Sequence, residues 1–240
     1  MNINLDEGYF FGIGVFETIN VVNGVPVLLE FHIERLNKAL NTLSIDKYIM
    51  ESDILNYIHL NNLVNTVLKV AVSKDNVIFT TRANTYTEDM YTEGFRLGFS
   101  EVMRNETSIM TYVKSLSQAD NIIEKRKAKI DGIDEVIFFN SKGEITEGAV
   151  SNIFFVKGFQ IYTPAVSCGL LDGTVRRYII ENFDVIEKSI RIEELEEFDE
   201  IFITNSLMGV MPVSELEGNI LVRHEMTNKV RRYYEENCLN

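Results

Sequence analysis

Two apolar runs flank the dipeptide Asn23-Gly24 near the start of the chain. The runs are residues 14–22 and 25–29, and Asn-Gly is the pair that best accepts the type I′ turn of a β-hairpin. The next segment, 31–43, carries apolar side chains at three- and four-residue steps, which predicts one amphipathic helix. A hairpin followed directly by a helix favours a chain of mixed α and β structure.

The same mixture continues along the rest of the chain. Further strands are predicted at 67–72, 77–81, 95–102, 135–139, 152–156, 160–162, 185–188 and 200–204. Further helices are predicted at 54–63, 118–130 and 223–236, and within 171–180 after a turn that Asp172 or Thr174 would cap. Because the returns between strands are hairpin-like, we predict the α+β class rather than a regular doubly wound sheet.

A polar stretch at residues 103–108 shows no strong periodicity and is the predicted interdomain linker. A chain of 240 residues is long enough for two small domains. We therefore predict a small N-terminal α+β domain, residues 1–106, and a larger C-terminal domain, residues 107–240.

The charge balance limits the partners of such a chain. It holds 23 Lys and Arg against 36 Asp and Glu, a net charge of -13, and such a surface repels nucleic acid. No uncharged run is long enough to span a bilayer and no basic leader is present, so we predict a cytoplasmic protein without a membrane partner. Cys168 and Cys238 lie far apart and form no metal-ligand motif, so no metal site is predicted.

Lys114 and Glu147 are the candidate chemical groups. Lys114 lies in Tyr-Val-Lys-Ser-Leu, and Glu147 begins Glu-Gly-Ala-Val-Ser-Asn. A pyridoxal phosphate enzyme takes from its protein an amine that forms a Schiff base and a carboxylate that keeps the pyridine nitrogen protonated. Neither residue is diagnostic alone. No Gly-x-Ser-x-Gly elbow, Walker lysine loop or His-Glu-x-x-His helix supports a rival chemistry.

Six motifs, in order along the chain, resemble those of the class IV (fold type IV) pyridoxal phosphate enzymes. They are Phe11-Gly-Ile-Gly-Val-Phe-Glu-Thr18, His32-Ile-Glu-Arg35-Leu, Lys114-Ser-Leu, Glu147-Gly-Ala-Val-Ser-Asn152, Gly173-Thr-Val-Arg176 and Thr204-Asn-Ser-Leu-Met-Gly-Val-Met-Pro-Val213. The group includes branched-chain aminotransferases, D-amino acid aminotransferases and 4-amino-4-deoxychorismate lyase. The resemblance implies a two-domain, D-amino acid aminotransferase-like fold with mixed and antiparallel sheets flanked by helices, and a homodimer that acts on a small-molecule amine.

The resemblance also implies roles for single residues toward pyridoxal 5'-phosphate. Lys114 corresponds to the catalytic Schiff-base lysine and Glu147 to the carboxylate on the pyridine nitrogen. His32 is predicted to be a packed, hydrogen-bonded residue rather than a catalytic one. A helix start and an arginine fork are both suited to phosphate oxygens. The predicted phosphate ligands are Arg35, Thr174, Val175, Ser206 and Leu207.

Within the group, the loop at 202–213 is most similar to the lyases, where Asn-Ser-Leu or Asn-Ala-Leu recurs. Aminotransferases tend to carry an acid where this chain has Gly209. Branched-chain aminotransferases usually place a tyrosine where this chain has Ala119. We therefore expect a lyase that converts 4-amino-4-deoxychorismate to 4-aminobenzoate and pyruvate in folate biosynthesis.

Two alternatives stay open: an aminotransferase for D- or branched-chain amino acids, and a non-catalytic protein that kept the cofactor-binding scaffold. Thr18 resembles a threonine that lines the family's pocket and is a candidate substrate-binding residue. Arg82 is the second candidate, since it keeps the arginine, without the histidine, of the pair that holds the substrate carboxylate in D-amino acid aminotransferases. Lys74-Asp75 replaces an Arg-Gly pair that is frequent in the group, so the donors to the substrate carboxylates are otherwise unassigned.

Overall fold

The computed structural model describes residues 3–239, which pack into two compact units. The first unit holds the chain through Thr85 together with Val113–Gln118, and the second holds Tyr86–Tyr112 and Ala119–Cys238. Packing therefore does not follow chain order, because Val113 is buried among the apolar residues of the first unit. The division into domains of residues 1–106 and 107–240 stays a prediction, and it differs from these units in the place of residues 86–106 and of residues 113–118, which include Lys114.

The first unit contains one four-stranded sheet. Its elements are α1 (Glu7–Phe11), β1 (Gly14–Val22), β2 (Val25–Pro26), α2 (Leu29–Thr42), α3 (Glu51–Leu60), β3 (Thr66–Ser73) and β4 (Val77–Arg82). The strand order is β2-β1-β3-β4, and all neighbours are antiparallel. The predicted hairpin is confirmed, since Asn23 and Gly24 join β1 to β2 with φ angles of 52° and 83°.

Helix α2 covers one face of this sheet. Its predicted apolar stripe is confirmed, because Ile33, Leu36 and Leu40 are buried in the core of the unit. Leu36 and Leu40 are at most 1% exposed, and complete burial of such a side chain contributes about 2 kcal/mol. Strand β1 turns alternate residues toward this core, so the intervening side chains of β1 lie on the opposite face.

The second unit contains a nine-stranded mixed sheet. Its helices are α4 (Glu88–Glu93), α5 (Ala119–Ile130), α6 (Thr174–Asn182) and α7 (Glu225–Cys238). Its strands are β5 (Phe95–Phe99), β6 (Glu135–Phe139), β7 (Ile145–Gly148), β8 (Asn152–Lys157), β9 (Gln160–Pro164), β10 (Val185–Lys188), β11 (Glu200–Asn205), β12 (Gly209–Leu216) and β13 (Asn219–Ile220). The order is β10-β9-β8-β11-β12-β5-β6-β7, with β13 on β12. Three pairs, β9/β10, β5/β12 and β5/β6, are parallel.

The predicted α+β class and fold type IV architecture are confirmed. Sequence reasoning missed β12 because glycine and proline interrupt its apolar run, and Pro212 in particular argues against a central strand. In the structure Pro212 pairs with Phe202 of β11 within the sheet. The predicted strands 135–139 and 185–188 have the bounds of β6 and β10.

Across residues 3–239 no helix combines the length and apolar character that a membrane span requires. The same residues include no cluster of three or more histidine, cysteine or acidic side chains arranged to hold a metal ion.

Candidate functional site

Lys114 is held against the first strand of the first unit by backbone hydrogen bonds. The Phe16 N–H donates to the Lys114 carbonyl at 2.9 Å, and the Leu116 N–H donates to the Gly14 carbonyl at 2.9 Å. Val113 and Ser115 are buried on the core side, so Lys114, between them, projects to the opposite face. Its Nζ lies 4.8 Å from the centroid of the Phe16 ring. The predicted catalytic amine is therefore half-buried, and the segment that carries it is bonded to β1.

Thr18 and Arg82 lie on the same face of the sheet as Lys114, which we name the open face. It carries the side chains of β1, β3 and β4 that point away from α2. Thr18 follows Phe16 at the two-residue step of β1, and Arg82 pairs with Val67, which in turn faces Asn20. The three residues predicted from sequence thus share one surface.

Arg35 lies on the side of the sheet that α2 covers, where it binds a carboxylate that the sequence had not singled out. Its Nε and Nη2 donate to the two carboxylate oxygens of Glu17, each at 2.7 Å. His32 Nδ1 lies 2.6 Å from Glu17 Oε2, and both residues are buried, so the prediction of a packed histidine is confirmed. The role of Arg35 as a phosphate ligand stays a prediction.

Charge balance explains this buried cluster. Burial raises the pKa of the Glu17 carboxyl, but Arg35 and His32 outweigh burial and lower that pKa to about 2. Burial lowers the pKa of His32, so the imidazole is neutral at pH 7 and its Nδ1–H donates to Glu17. An acid at an inward position of an alternating strand was the signal available in the sequence, because such a group requires a cationic partner.

Glu147 lies in the second unit, at a buried position on β7. Its Oε1 is 3.2 Å from Nη2 of Arg104, and its Oε2 accepts from the Leu171 N–H at 3.1 Å. Arg104 also donates from Nη1 to Asn121 and stacks its guanidinium 4.2 Å from the centroid of the Phe138 ring. The half-buried arginine favours the ionised carboxylate, which is the form that can pair with a protonated ring nitrogen. Sequence reasoning missed Arg104 because it lies in the stretch predicted to be a linker.

Thr174 and Val175 form the first turn of α6, which begins without a side-chain cap. The N-cap residue is Gly173, so the prediction that Asp172 or Thr174 caps this helix is wrong. Asp172 instead accepts from Arg176 at 2.7 Å. The first N–H groups of a helix have no partner within it, and without a capping side chain they are suited to an anion such as phosphate.

Asn152 ties this helix start to the residues around Glu147. Its Nδ2 donates to the carbonyl of Leu171 at 2.8 Å, and the N–H of the same Leu171 donates to Glu147 Oε2. A Cβ added to Gly173 would lie 2.0 Å from Asn152 Oδ1. Gly173 therefore lets the backbone approach Asn152 in a way that no other residue permits.

Gly173→Ala is expected to displace Asn152 or the first turn of α6, because the added methyl overlaps Asn152 Oδ1. We expect the dissociation constant for pyridoxal phosphate to rise about tenfold, with a loss of stability of about 1–3 kcal/mol. Cofactor titration and urea unfolding measure the two effects. Gly98→Ala is the control, since its Cβ would meet no atom closer than 3.3 Å. Equal cofactor affinity in both variants would contradict the role of this helix start.

Ser206 and Leu207 lie in a loop that Asn205 organises. Asn205 Oδ1 accepts from the N–H groups of Leu207 and Met208, both at 2.9 Å, and its Nδ2 donates to the Val150 carbonyl at 3.3 Å. Through Val150 the loop joins the segment that follows Glu147. The phosphate roles of Ser206 and Leu207 stay predictions. Because the Leu207 N–H already donates to Asn205, a phosphate oxygen bound there would share that hydrogen with Asn205 Oδ1.

The residues present fit the chemistry of pyridoxal phosphate. Within the second unit, contacts through Leu171, Asn152 and Val150 connect the Glu147 carboxylate, an uncapped helix start and the loop that Asn205 organises. Within the first unit, a half-buried amine stands on the open face. An anion site and a buried carboxylate match a phosphate and a pyridinium nitrogen, and the amine matches an aldehyde.

The fold type IV architecture and these groups place the protein in the class of pyridoxal-phosphate-dependent enzymes. The sequence model described as "Amino-transferase class IV" matches residues 14–216, and the chain belongs to this family. Its members are pyridoxal-phosphate-dependent enzymes, both lyases and aminotransferases.

Individual relatives include both activities. An aminodeoxychorismate lyase of Bacillus subtilis (strain 168) is 32% identical over 88% of this chain and 80% of the relative. A D-alanine aminotransferase of Bacillus licheniformis is 27% identical over 90% of this chain and 83% of the relative. The crystal structure of 4-amino-4-deoxychorismate lyase from Pseudomonas aeruginosa has a TM-score of 0.86 at 21% identity, covering 99% of this chain and 96% of that chain, and shows the shared fold.

Proposed function

We propose that the protein is a pyridoxal-phosphate-dependent 4-amino-4-deoxychorismate lyase that gives 4-aminobenzoate and pyruvate for folate biosynthesis. Gly209 carries this choice over the aminotransferases. Its φ is +62°, and a Cβ there would lie 2.7 Å from the Tyr234 ring. The backbone and Tyr234 thus leave no room for the acid that aminotransferases tend to carry at this position. The 32% identity to the Bacillus subtilis lyase supports the same choice.

The chain's own residues have defined tasks in this reaction. The bound cofactor withdraws electrons from the ring carbon that carries the substrate amine. Lys114 binds the cofactor and, once the substrate amine has replaced it, its freed amine takes the proton from that carbon. The enolpyruvyl ether then leaves the neighbouring carbon as enolpyruvate and the ring becomes aromatic; a proton taken up by the enolpyruvate methylene gives pyruvate and balances the proton removed from the ring. Glu147, held ionised by Arg104, keeps the cofactor nitrogen protonated, and Thr174 and Val175 orient the phosphate through the start of α6.

The second candidate is an aminotransferase for D- or branched-chain amino acids. The D-alanine aminotransferase relative and the position of Arg82 on the open face support it. Lys114 and Glu147 would serve that reaction equally. A non-catalytic role for the scaffold is the third candidate, which the presence of both groups makes a weaker proposal.

Product analysis separates these functions. Purified protein loaded with pyridoxal phosphate is incubated with 4-amino-4-deoxychorismate, and in parallel with D- and L-amino acids plus 2-oxoglutarate. We expect 4-aminobenzoate and pyruvate in equal amounts and no glutamate from the amino acid panel. Glutamate without 4-aminobenzoate would support the aminotransferase instead. A cofactor absorbance without turnover on either set would support the non-catalytic role.

We also infer a homodimer and a cytoplasmic location. The homodimer follows from the resemblance to the class IV enzymes, and the location from the expectation drawn from the sequence.

A further inference from the structure

Lys69 lies on the open face beside the predicted catalytic amine. It pairs with Thr18 in the register of β1 and β3, so the two side chains point the same way. Its Nζ lies 4.2 Å from the centroid of the Phe16 ring, and Lys114 Nζ lies 4.8 Å from the same centroid. The ring of Phe16 thus contacts the amines of two lysines, Lys69 and Lys114, of which only Lys114 was predicted from the sequence.

The positive charge of Lys69 has no acidic partner among residues 3–239. Its ammonium makes no ion pair or side-chain hydrogen bond there, and its contact is with the ring of Phe16. Arg82 likewise makes no ion pair within the described chain, and its Nη1 donates to the carbonyl of Ala83. Although the net charge of the protein is -13, two cations of one sheet face therefore have no counterion among residues 3–239.

The two cations also act on each other. Burial lowers the pKa of Lys69, and the nearby charge of Arg82 lowers that pKa further. An anion bound between them would relieve this repulsion, because opposite charge favours the ammonium form. Lys69 and Arg82 together therefore favour the binding of a negatively charged ligand on the open face.

We propose that Lys69 is a substrate-binding residue that takes one carboxylate of the substrate and, with Arg82, selects amines that carry two carboxylates. This inference rests on the proposed lyase function, whose substrate has one carboxylate on the ring and one on the enolpyruvyl group. It supplies a donor where Lys74-Asp75 replaces the Arg-Gly pair of the group. The contact of the Lys69 ammonium with the ring of Phe16 limits the positions that this ammonium occupies.

The test uses chorismate, which has both carboxylates and a hydroxyl in place of the amine, so it binds without reacting. Calorimetric titration into the cofactor-loaded protein gives its dissociation constant. We expect Lys69→Met to raise this constant about 10- to 100-fold, the effect of losing one charge-assisted hydrogen bond. Lys69→Arg should stay within about threefold of the wild type, because it keeps the charge. Lys38→Met, which removes a charge from the exposed side of α2, should bind as the wild type does.

Three results would overturn the inference. They are wild-type affinity in Lys69→Met, failure of Lys69→Arg to restore binding, and no binding of chorismate by the wild type. Cofactor absorbance is recorded for each variant, and a loss of cofactor that accounts for the loss of chorismate binding would also count against it. Lys69-dependent binding without 4-aminobenzoate formation would reject the proposed function alone, whereas product formation with unchanged binding in Lys69→Met would reject this inference alone.

Discussion

Lys114→Ala is expected to lower the rate of product formation by about 10⁴-fold or more, the scale of loss when a residue that forms a covalent bond is removed. The reason is chemical rather than structural. The side chain is half-buried on the open face. The backbone bonds that hold the segment, from the Phe16 N–H to the Lys114 carbonyl and from the Leu116 N–H to the Gly14 carbonyl, do not depend on the amine. The rate is followed by the appearance of 4-aminobenzoate, and unfolding curves check that the variant is folded.

Lys114→Arg sharpens this prediction because it keeps the positive charge near Phe16 but cannot bond to an aldehyde. It should be as inactive as the alanine variant. Lys38→Ala, which removes an exposed lysine of the same unit, should keep full activity. Borohydride treatment of the cofactor-loaded wild type should attach the cofactor permanently to residue 114, detected by peptide mass. A label on another lysine would contradict the assignment of Lys114 as the lysine that bonds to the cofactor.

Glu17→Ala is expected to destabilise the protein by about 3–5 kcal/mol, the cost of breaking a buried ion pair from one side. Glu17 is 1% exposed and receives hydrogen bonds from both Arg35 and His32. Without it, the charge of Arg35 and the Nδ1–H of His32 lose their acceptor inside the unit. Urea unfolding measures the loss as a lower midpoint with an unchanged slope.

Glu30→Ala is the matched control, since it removes an exposed acid from the first turn of α2. It should change the free energy of unfolding by less than about 1 kcal/mol, the scale of a helix-dipole contact. Equal losses in the two variants would mean that the buried ion pair contributes nothing specific.

The same carboxylate predicts a pH dependence of stability. The pKa of Glu17 is about 2 in the folded protein against an ordinary value of 4.5, so the unfolded chain takes up the proton first as pH falls. Its contribution is complete above about pH 4.5 and is lost progressively as pH falls toward 2. Urea unfolding curves recorded at several pH values between 4.5 and 2 measure this effect. The free energy of unfolding of the wild type should fall more steeply with falling pH than that of Glu17→Gln, which has no proton to take up at this position.

Local patterns predicted much of the fold. The φ preferences of Asn23-Gly24 decide a hairpin within a few residues, and the stripe of α2 follows from helix periodicity alone. Motif order likewise named Glu147 and the helix start after Gly173, but it did not predict their partners, and the prediction that Asp172 or Thr174 caps this helix is wrong. Pro212 shows the limit of local rules, since its place in β12 depends on pairing with β11.

The linear chain by itself determined the α+β class and the family, and it predicted Lys114 and Glu147 as the reacting groups, because these inferences depend on residue types within short motifs. Only the tertiary structure decided that Arg104 pairs with Glu147, that Glu17 binds Arg35 and that Lys69 shares the ring of Phe16 with Lys114. Each of these contacts joins residues 18 or more positions apart through strand register or helix packing. Charge, burial and repulsion act over distances in space, and sequence separation does not measure them.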